Sequence, residues 1–226
     1  MLLAIDTSTR IMSLALHTGD VLKAECTLTI GKSHSEYLAP MIQQMMTQSN
    51  VDVSELKAMA VAIGPGSYTG LRIGVSLAKG MAAVHDLPLV GISTLDTIAL
   101  GQNFYNTRYT LVVVVPAGRG RVISGEYRGK KGRWVAKDEP VLQTWDELLE
   151  TVEDQIYLTG EITADGLEAV SIAQKAGKGI TLIPPAQRLQ RAGFLAEEAW
   201  RQIHDETEDH DFSASKVMPV YLKSPG

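Results

Sequence analysis

A glycine-rich loop in the first half of the chain has the residue types that wrap phosphates. The stretch AIGPGSYTGLRIG ends an apolar run and leads into a helical pattern. Its candidate phosphate-contacting residues are Gly64, Gly66, Ser67, Thr69 and Gly70. Glycines allow a tight turn, and the free N–H groups at a helix start hold anions. However, Leu71 stands where nucleotide-hydrolase loops have a lysine, so the loop predicts either a structural strand-to-helix turn or a phosphate or partner contact.

A second candidate site follows the first predicted strand, where Asp6, Thr7 and Ser8 stand in succession. An acid at the carboxyl end of a first strand, followed by hydroxyls, is a usual place for a magnesium or phosphate contact in α/β folds. The alternative is a tight turn in which these side chains bond the local backbone. The three residues alone leave both interpretations open.

The sequence contains few residues in patterns typical of metal binding or acyl transfer. The five histidines include no pair four positions apart, so we predict no His-x-x-x-His metal site. His34, close to Glu36, is expected to cap a helix or to lie at an interface. A peptidase is not favoured, because there is no Gly-x-Ser-x-Gly motif and Ser67 has no histidine near it in the sequence.

A cluster of cations occupies RGRVISGEYRGKKGRW, which reads as a strand meander. Its members are Arg119, Arg121, Arg128, Lys130, Lys131 and Arg133. One interpretation is charged strand edges that resist aggregation. The other is a contact with RNA or phosphate.

Composition limits the class of protein. The chain has 226 residues, 45% of them hydrophobic, and its formal net charge of −5 argues against a broad basic surface for nucleic acid. The one cysteine, Cys26, excludes an intramolecular disulfide. The first residues lack the basic start of a signal peptide, and the longest apolar run is far below the roughly 20 residues of a membrane span. We therefore expect a cytoplasmic protein without membrane contacts.

Hydrophobic periodicity predicts the elements that position the candidate residues. Over about the first hundred residues the order is βββ-α-β-α-β-α, with a hairpin turn at Thr18-Gly19-Asp20. A three-strand meander then restarts near Leu111 and is followed by alternating helices and strands. Two halves with one element order indicate a duplicated α/β unit.

Two predicted helices of the first half have distinctive faces. The helix over Tyr37 to Met46 has a methionine-rich apolar stripe, and the helix after Gly70 has small residues at Gly74 and Ala78. Methionine suits adaptable binding surfaces, and small residues allow another element to approach closely. Core packing and an interface with a second chain are the two explanations.

Five motifs together resemble the bacterial TsaB family, formerly called YeaZ. They are LLAIDTST with SLAL at the N-terminus, HSEYLAPMI at 34–42, GPGSYTGLRIG at 64–74, GISTLDTIA at 91–99 and PVYLKSP at 219–225. The resemblance is dense over residues 1–100 and thin over 107–215. It implies the α/β actin-like ATPase and sugar-kinase fold with two βββαβα lobes, 1–106 and 107–226, whose last helix and tail could pack back on the first lobe.

The resemblance also implies a function. TsaB-like proteins are non-catalytic subunits required for threonylcarbamoyladenosine modification at position 37 of ANN-decoding tRNAs. They are a dimerisation platform and activator for the catalytic subunit TsaD, joined by the ATPase TsaE, and form a homodimer when alone. The resemblance implies that tRNA is reached only through the complex and that no cofactor is intrinsic, although ATP or ADP could bind at the TsaD junction or weakly in the cleft.

The resemblance assigns the partner interface to the two helices described above. The implied contact residues are Tyr37, Leu38, Met41, Ile42, Met45, Leu71, Gly74, Val75 and Ala78.

The resemblance implies that the candidate phosphate-contacting residues form a vestigial nucleotide or phosphate loop. They are Asp6, Thr7, Ser8, Gly64, Gly66, Ser67, Thr69 and Gly70. Relatives usually have Ile-Asp-Ala-Arg where the second lobe's first strand ends, whereas this chain has Pro116. A metal-held phosphate then loses one of its two anchors. The alternative function is a nucleotide-binding ATPase or small-molecule kinase of the actin-like superfamily, using Asp6, Thr7, Ser8 and the loop 64–70.

Overall fold

The chain folds into two compact units in the computed structural model, which describes residues 1–31, 33–103, 108–205 and 210–222. One unit combines Met1–Thr97 with Gln190–Val220, and the other contains Ile98–Leu189 and the chain end from Tyr221. The sequence-based boundary at 106/107 lies outside the described residues. The segment from Gln190 to Val220, which contains the last helix and most of the tail that were expected to be able to pack back on the first lobe, is part of the first unit.

The sheet of the first unit contains five strands. They are β1 (Leu2–Asp6), β2 (Ile11–His17), β3 (Leu22–Thr29), β4 (Ala58–Gly64) and β5 (Leu89–Ser93), in the spatial order β3-β2-β1-β4-β5. Strands β1, β2 and β3 pair antiparallel, whereas β4 pairs parallel with both β1 and β5. All five residues of β1 are buried, as expected for a central strand covered on both faces.

Three helices alternate with these strands: α1 (His34–Gln48), α2 (Tyr68–His85) and α3 (Thr94–Leu100). A short 3₁₀ turn at Val53–Glu55 precedes β4. The apolar stripes of α1 and α2 join one face of the sheet in a single core that includes Leu3, Ile5 and Leu14. This packing fixes the start of α2 beside the end of β1.

The second unit repeats the arrangement of the first. Its strands are β6 (Thr110–Gly118), β7 (Arg121–Lys130), β8 (Arg133–Ala136), β9 (Val141–Thr144), β10 (Ile156–Gly160) and β11 (Ile180–Leu182), with helices α4 (Trp145–Glu150) and α5 (Ala164–Lys175). The order β11-β10-β6-β7-β8 is the same topology read from the other end. The predicted duplication is confirmed, with one strand the sequence did not predict, β9, which pairs with β7.

The final helix, α6 (Ala192–Ile203), covers the other face of the first unit's sheet. Its alanines pack against Ala4, Ala15 and Ala60, so helix and sheet approach closely. Side chains from two strands anchor its first turn, since Ala192 N donates to Ser13 Oγ at 2.8 Å and Gly193 N donates to Glu25 Oε1 at 2.8 Å. An acidic side chain at a helix N-terminus also stabilises the helix dipole.

The tail after α6 crosses the edge of β5. Leu89 N donates to Phe212 O at 2.9 Å, and Val220 N donates to Ile63 O at 2.7 Å. Lys79 Nζ donates to Val217 O at 3.0 Å, which ties the tail to α2. Among the described residues, no helix combines the length and apolar character required to cross a membrane.

Candidate functional site

The glycine-rich loop forms a tight connection between β4 and α2. Gly64 has φ of +109°, its peptide bond to Pro65 is cis, and α2 begins four residues later at Tyr68. Ser67 caps the helix, because its Oγ accepts from Gly70 N at 3.3 Å. The loop is therefore a capped strand-to-helix turn, and Thr69 lies exposed in the first turn of α2.

This loop packs directly on the turn after β1. Ser67 N donates to Ser8 O at 2.6 Å, and Thr7 Oγ1 donates to Gly70 O at 2.7 Å. Thr7 and Ser8 are both buried. The structure thus brings the two sets of predicted phosphate-contacting residues together, and it shows their polar groups bonded to each other.

Close approach explains the glycines in this contact. A Cβ atom on Gly66 would overlap Ser8 O, and one on Gly70 would overlap Thr7 O. On the next turn of α2, a Cβ on Gly74 would overlap Thr7 Oγ1. The small-residue ridge of α2 therefore faces the chain's own first strand.

Asp6 lies at the centre of a buried hydrogen-bond network. Its Oδ1 accepts from Ser8 N at 2.9 Å, from Ser8 Oγ at 2.6 Å and from Gln190 Nε2 at 3.0 Å. Gln190 Nε2 also lies 2.9 Å from Ser8 Oγ, and Gln190 Oε1 accepts from Thr9 Oγ1 at 2.8 Å. Gln190 is only 1% exposed, so its amide holds three residues of the β1 turn from within the fold.

The environment of Asp6 favours its protonated form. Complete burial raises the pKa of the carboxyl group, because a charge is poorly solvated there. Hydrogen bonds from Ser8 and Gln190 and the electrostatic influence of the nearby His34 partly oppose this rise. Asp6 Oδ2 is also buried and has no hydrogen-bond partner among the described residues. A protonated carboxyl would cost less in this position than an ionised one.

His34 ties α1 to the same turn. Its Nε2 lies 2.7 Å from Thr9 O, and because a carbonyl only accepts, Nε2 carries the hydrogen and donates it. His34 is buried and its Nδ1 has no partner in the described structure. The residue predicted to cap a helix or to lie at an interface instead braces the β1 turn internally.

Most residues of the predicted partner interface are buried within the single chain. Seven of its nine residues are buried in the chain's own core: Leu38, Ile42, Met45, Leu71, Gly74, Val75 and Ala78. Their stripes are the faces that α1 and α2 turn toward the sheet, although Ile42 also lines a groove between the two helices. Tyr37 is 48% exposed and Met41 is half-buried, and these two remain candidates.

An apolar groove lies between the exposed parts of α1 and α2. It has a volume of about 320 Å³, and its walls include Ile42, Met46, Leu77 and Met81. Polar residues, among them Gln43 and Asp52, also line it.

The second unit contributes no acid at the carboxyl end of β6. Pro116 pairs with Val122 inside the β6–β7 ladder. Arg119 lies in the turn that follows, and the other predicted cations lie on or next to β7 and β8. Within the described parts of the chain, no group of three or more His, Cys, Asp or Glu side chains is arranged to hold a metal ion.

Comparison with known proteins decides the family. A family model described as TsaD: tRNA N6-adenosine threonylcarbamoyltransferase matches residues 29–155. The tRNA threonylcarbamoyladenosine biosynthesis protein TsaB of Bacillus subtilis (strain 168) is 34% identical over 72% of this chain and 72% of its own length. The chain belongs to the TsaB family.

Other TsaB proteins match to different extents. The Escherichia coli (strain K12) TsaB is 36% identical over 63% of this chain and 62% of its own length. The Haemophilus influenzae TsaB is 28% identical over 99% of this chain and 93% of its own length. The chain thus spans somewhat less than two thirds of the first of these relatives and nearly all of the second.

The fold of the TsaB family is also found by structural comparison. YeaZ from Pseudomonas aeruginosa superposes with a TM-score of 0.75 over 97% of this chain and 99% of its own, at 22% identity. A second P. aeruginosa structure, described as similar to peptidase YeaZ, gives 0.76 over 98% and 99%, at 23% identity. The α/β fold in two repeated units that the sequence motifs imply is confirmed, and it is shared with these YeaZ structures.

One residue of the network carries no local signal in the sequence. Gln190 stands 184 positions after Asp6, in the polar stretch before α6. A glutamine in such a segment is ordinary, so the sequence alone could not connect it with the β1 turn.

Proposed function

We propose that this chain is a non-catalytic subunit of the assembly that forms threonylcarbamoyladenosine in tRNA. Membership of the TsaB family supports the process, since its curated members are named for tRNA threonylcarbamoyladenosine biosynthesis. The match to the threonylcarbamoyltransferase family model supports a partner of that kind, TsaD. TsaE is the ATPase of this proposed assembly.

The enclosure of the β1 turn within the chain's own fold is the observation that carries the non-catalytic role, because Asp6 Oδ1 is internally bonded and Asp6 Oδ2, although unbonded, is buried. A carboxylate that positions a magnesium-bound phosphate must present oxygen atoms to its ligand. Here three donors of the chain itself occupy Asp6 Oδ1, and the Thr7 hydroxyl is bonded to Gly70 O. The glycine-rich loop instead holds the start of α2 against the end of β1.

The outer faces of α1 and α2 are the proposed contact with TsaD. Their exposed residues include Tyr37, Gln44, Arg72 and Val84, the last of which is 79% exposed. The same faces would pair two copies when the chain is alone. Exposed aromatic and aliphatic side chains on adjacent helices are typical of such interfaces.

A reconstituted modification reaction tests the proposal. Purified TsaD and TsaE, supplied with an activated threonylcarbamoyl donor and unmodified tRNA, are expected to form the product only when this chain is added. Tyr37→Glu should abolish co-purification with TsaD and product formation, while Lys23→Glu, on the remote exposed start of β3, should leave both unchanged. Full product formation without the chain would refute the activator role.

Nucleotide binding belongs to the same proposal. We place any ATP or ADP at the junction with TsaD, because the β1 turn of the isolated chain is internally bonded. Calorimetry with magnesium and ATP should then give no heat of binding for the chain alone. Micromolar binding followed by hydrolysis by the chain alone would instead establish the ATPase or kinase alternative.

A further inference from the structure

Positive charge is concentrated along strands β7 and β8 of the second unit. Residues 119–137 hold seven of the chain's 21 lysines and arginines but a single acid, Glu126, in a chain whose formal net charge is −5. Four of the cations lie at the tip of the β7–β8 hairpin. We define Arg128, Lys130, Lys131 and Arg133 as the hairpin-tip patch.

The register of the hairpin places three of these cations on one face. Lys130 is directly opposite Arg133, and Arg128 is opposite Val135. Directly opposed residues of an antiparallel pair share a face, as do residues two apart on one strand. Lys131 begins the turn with φ of +49°, and Trp134 is buried on the opposite face.

The tip extends past the rest of its sheet. Tyr127 is the last residue of β7 that pairs with β6, and β9 pairs only with Arg121 to Ser124. From Arg128 onward, the two strands of the hairpin have only each other as neighbours in the described ladders. Arg128, Lys130 and Lys131 are exposed.

Nearby acids do not neutralise three members of the patch. Glu126 is engaged by Lys137, whose Nζ lies 2.6 Å from its Oε2. Within the described residues, Arg128, Lys130 and Lys131 have no carboxylate at ion-pair distance. Arg128 and Lys130, two apart on one strand, lie on the same face and carry like charges that repel each other, so the isolated fold gains nothing from placing them together.

Protection of a sheet edge explains only part of this arrangement. Strand β8 is the edge, and one cation on it would suffice to discourage pairing with another chain. Arg128 and Lys130 lie on β7 instead, on the same exposed face as Arg133. A polyanion that contacts Arg128 and Lys130 would remove their mutual repulsion.

We propose that the hairpin-tip patch binds the phosphate backbone of the tRNA that the assembly modifies; the identity of this RNA rests on the proposed function. Positions two apart on a strand are separated by about 6.6 Å, so Arg128 and Lys130 contact different phosphates. Phosphate contacts fix the position of a nucleic acid without reading its sequence. The remaining acidic surface repels RNA and confines the contact to the patch. The chain therefore touches tRNA directly, which the family resemblance does not imply.

Salt-dependent binding of RNA to the full chain tests the contact. A fluorescently labelled, unmodified tRNA transcript is titrated at several salt concentrations with wild type and with the double variant Arg128→Gln/Lys130→Gln. Loss of two phosphate contacts is expected to lower the magnitude of the slope of log K against log salt by about 1.5 to 2. The control Lys23→Gln/Lys57→Gln removes two exposed lysines of the first unit, and its slope should equal that of wild type.

Two further measurements separate the sources of failure. Equal slopes for the two double variants would overturn the patch, as would patch-dependent binding to phosphatidylserine vesicles without any binding to RNA. In the reconstituted reaction, Arg128→Gln/Lys130→Gln should raise KM for tRNA while it co-purifies with TsaD as wild type does. If Arg128→Gln/Lys130→Gln supports modification with the KM and the salt slope of wild type, the RNA contact at the patch is refuted and the proposed function is not. If wild type binds RNA through the patch but supports no modification, the proposed function is refuted and the RNA contact is not.

Discussion

Gln190 Nε2 donates a hydrogen bond to Asp6 Oδ1 over 3.0 Å, although the two residues stand 184 positions apart. The bond is buried and joins the end of β1 to the segment that leads into α6. The site that resembles a phosphate cradle is thereby connected to the last helix of the fold.

Replacing Gln190 tests how much this hydrogen-bond network contributes to the free energy of unfolding. Gln190→Ala removes partners from Asp6, Ser8 and Thr9 and leaves buried polar groups unsatisfied, each of which typically costs about 1–3 kcal/mol. We expect the free energy of unfolding, measured with urea, to fall by at least about 2 kcal/mol. Gln44→Ala, on the exposed face of α1, is the control and should change it by less than about 0.5 kcal/mol. Equal effects would show that the network is energetically neutral.

Asp6 should make stability depend on pH. Burial raises its pKa in the folded state above the ordinary value of 3.8, so the folded state binds the proton more tightly than the unfolded state. The stabilising contribution is complete below 3.8 and is lost as pH rises through the folded pKa. Unfolding free energies of wild type and Asp6→Asn, compared from pH 3 to about pH 8, should therefore shift in favour of Asp6→Asn as pH rises. A difference that does not vary with pH would contradict the raised pKa.

Two glycines of α2 form a matched pair. Gly74→Ala introduces a Cβ that overlaps Thr7 Oγ1, whereas Gly80→Ala points into open space with no atom within 4 Å. Alanine improves helix propensity by about 1 kcal/mol at either position. We expect Gly80→Ala to raise the melting temperature. Gly74→Ala should lower it, because overpacking against Thr7 typically costs about 1–3 kcal/mol of stability. The same sign for both variants would show that α2 is free to move away from β1.

Burial also separates two residues that the sequence placed in one interface. Met45 is 5% exposed, so Met45→Ala should cost about 2–5 kcal/mol of stability through the cavity it leaves. Tyr37→Ala, on the exposed side of α1, should change stability by less than about 0.5 kcal/mol. Thermal unfolding of the two single variants distinguishes them. A Met45→Ala variant as stable as wild type would contradict the burial of Met45 in the core.

The order of the elements could be predicted because each has a local cause. The periodicity of Tyr37 to Met46 indicates a helix, and the alternation after Leu111 indicates strands. The strand order then repeats in the two units as a duplicated unit requires. Strand β9 was not predicted, because four residues from Val141 to Thr144 carry too short an alternation to recognise.

The location of the candidate site could be predicted, but its internal bonding could not. Asp6 and the 64–70 loop each carry a local signal of a turn at a strand end. An apolar or small-residue stripe shows that a helix face is covered without showing what covers it, which is why Gly74 and Met45 were assigned to a partner. The tertiary fold supplies that information, since Thr7 covers Gly74 and the first unit's own core covers Met45.

The placement of α6 also affects the order in which the chain can fold during its synthesis. Ala4, Ala15 and Ala60 leave the ribosome long before Ala192 to Ile203, so their sheet face waits for more than a hundred further residues. The amide of Gln190 reaches Asp6 equally late. The first strand translated is therefore among the last to be fully enclosed, and a nascent chain stalled in the second unit exposes an alanine-lined sheet face to chaperones.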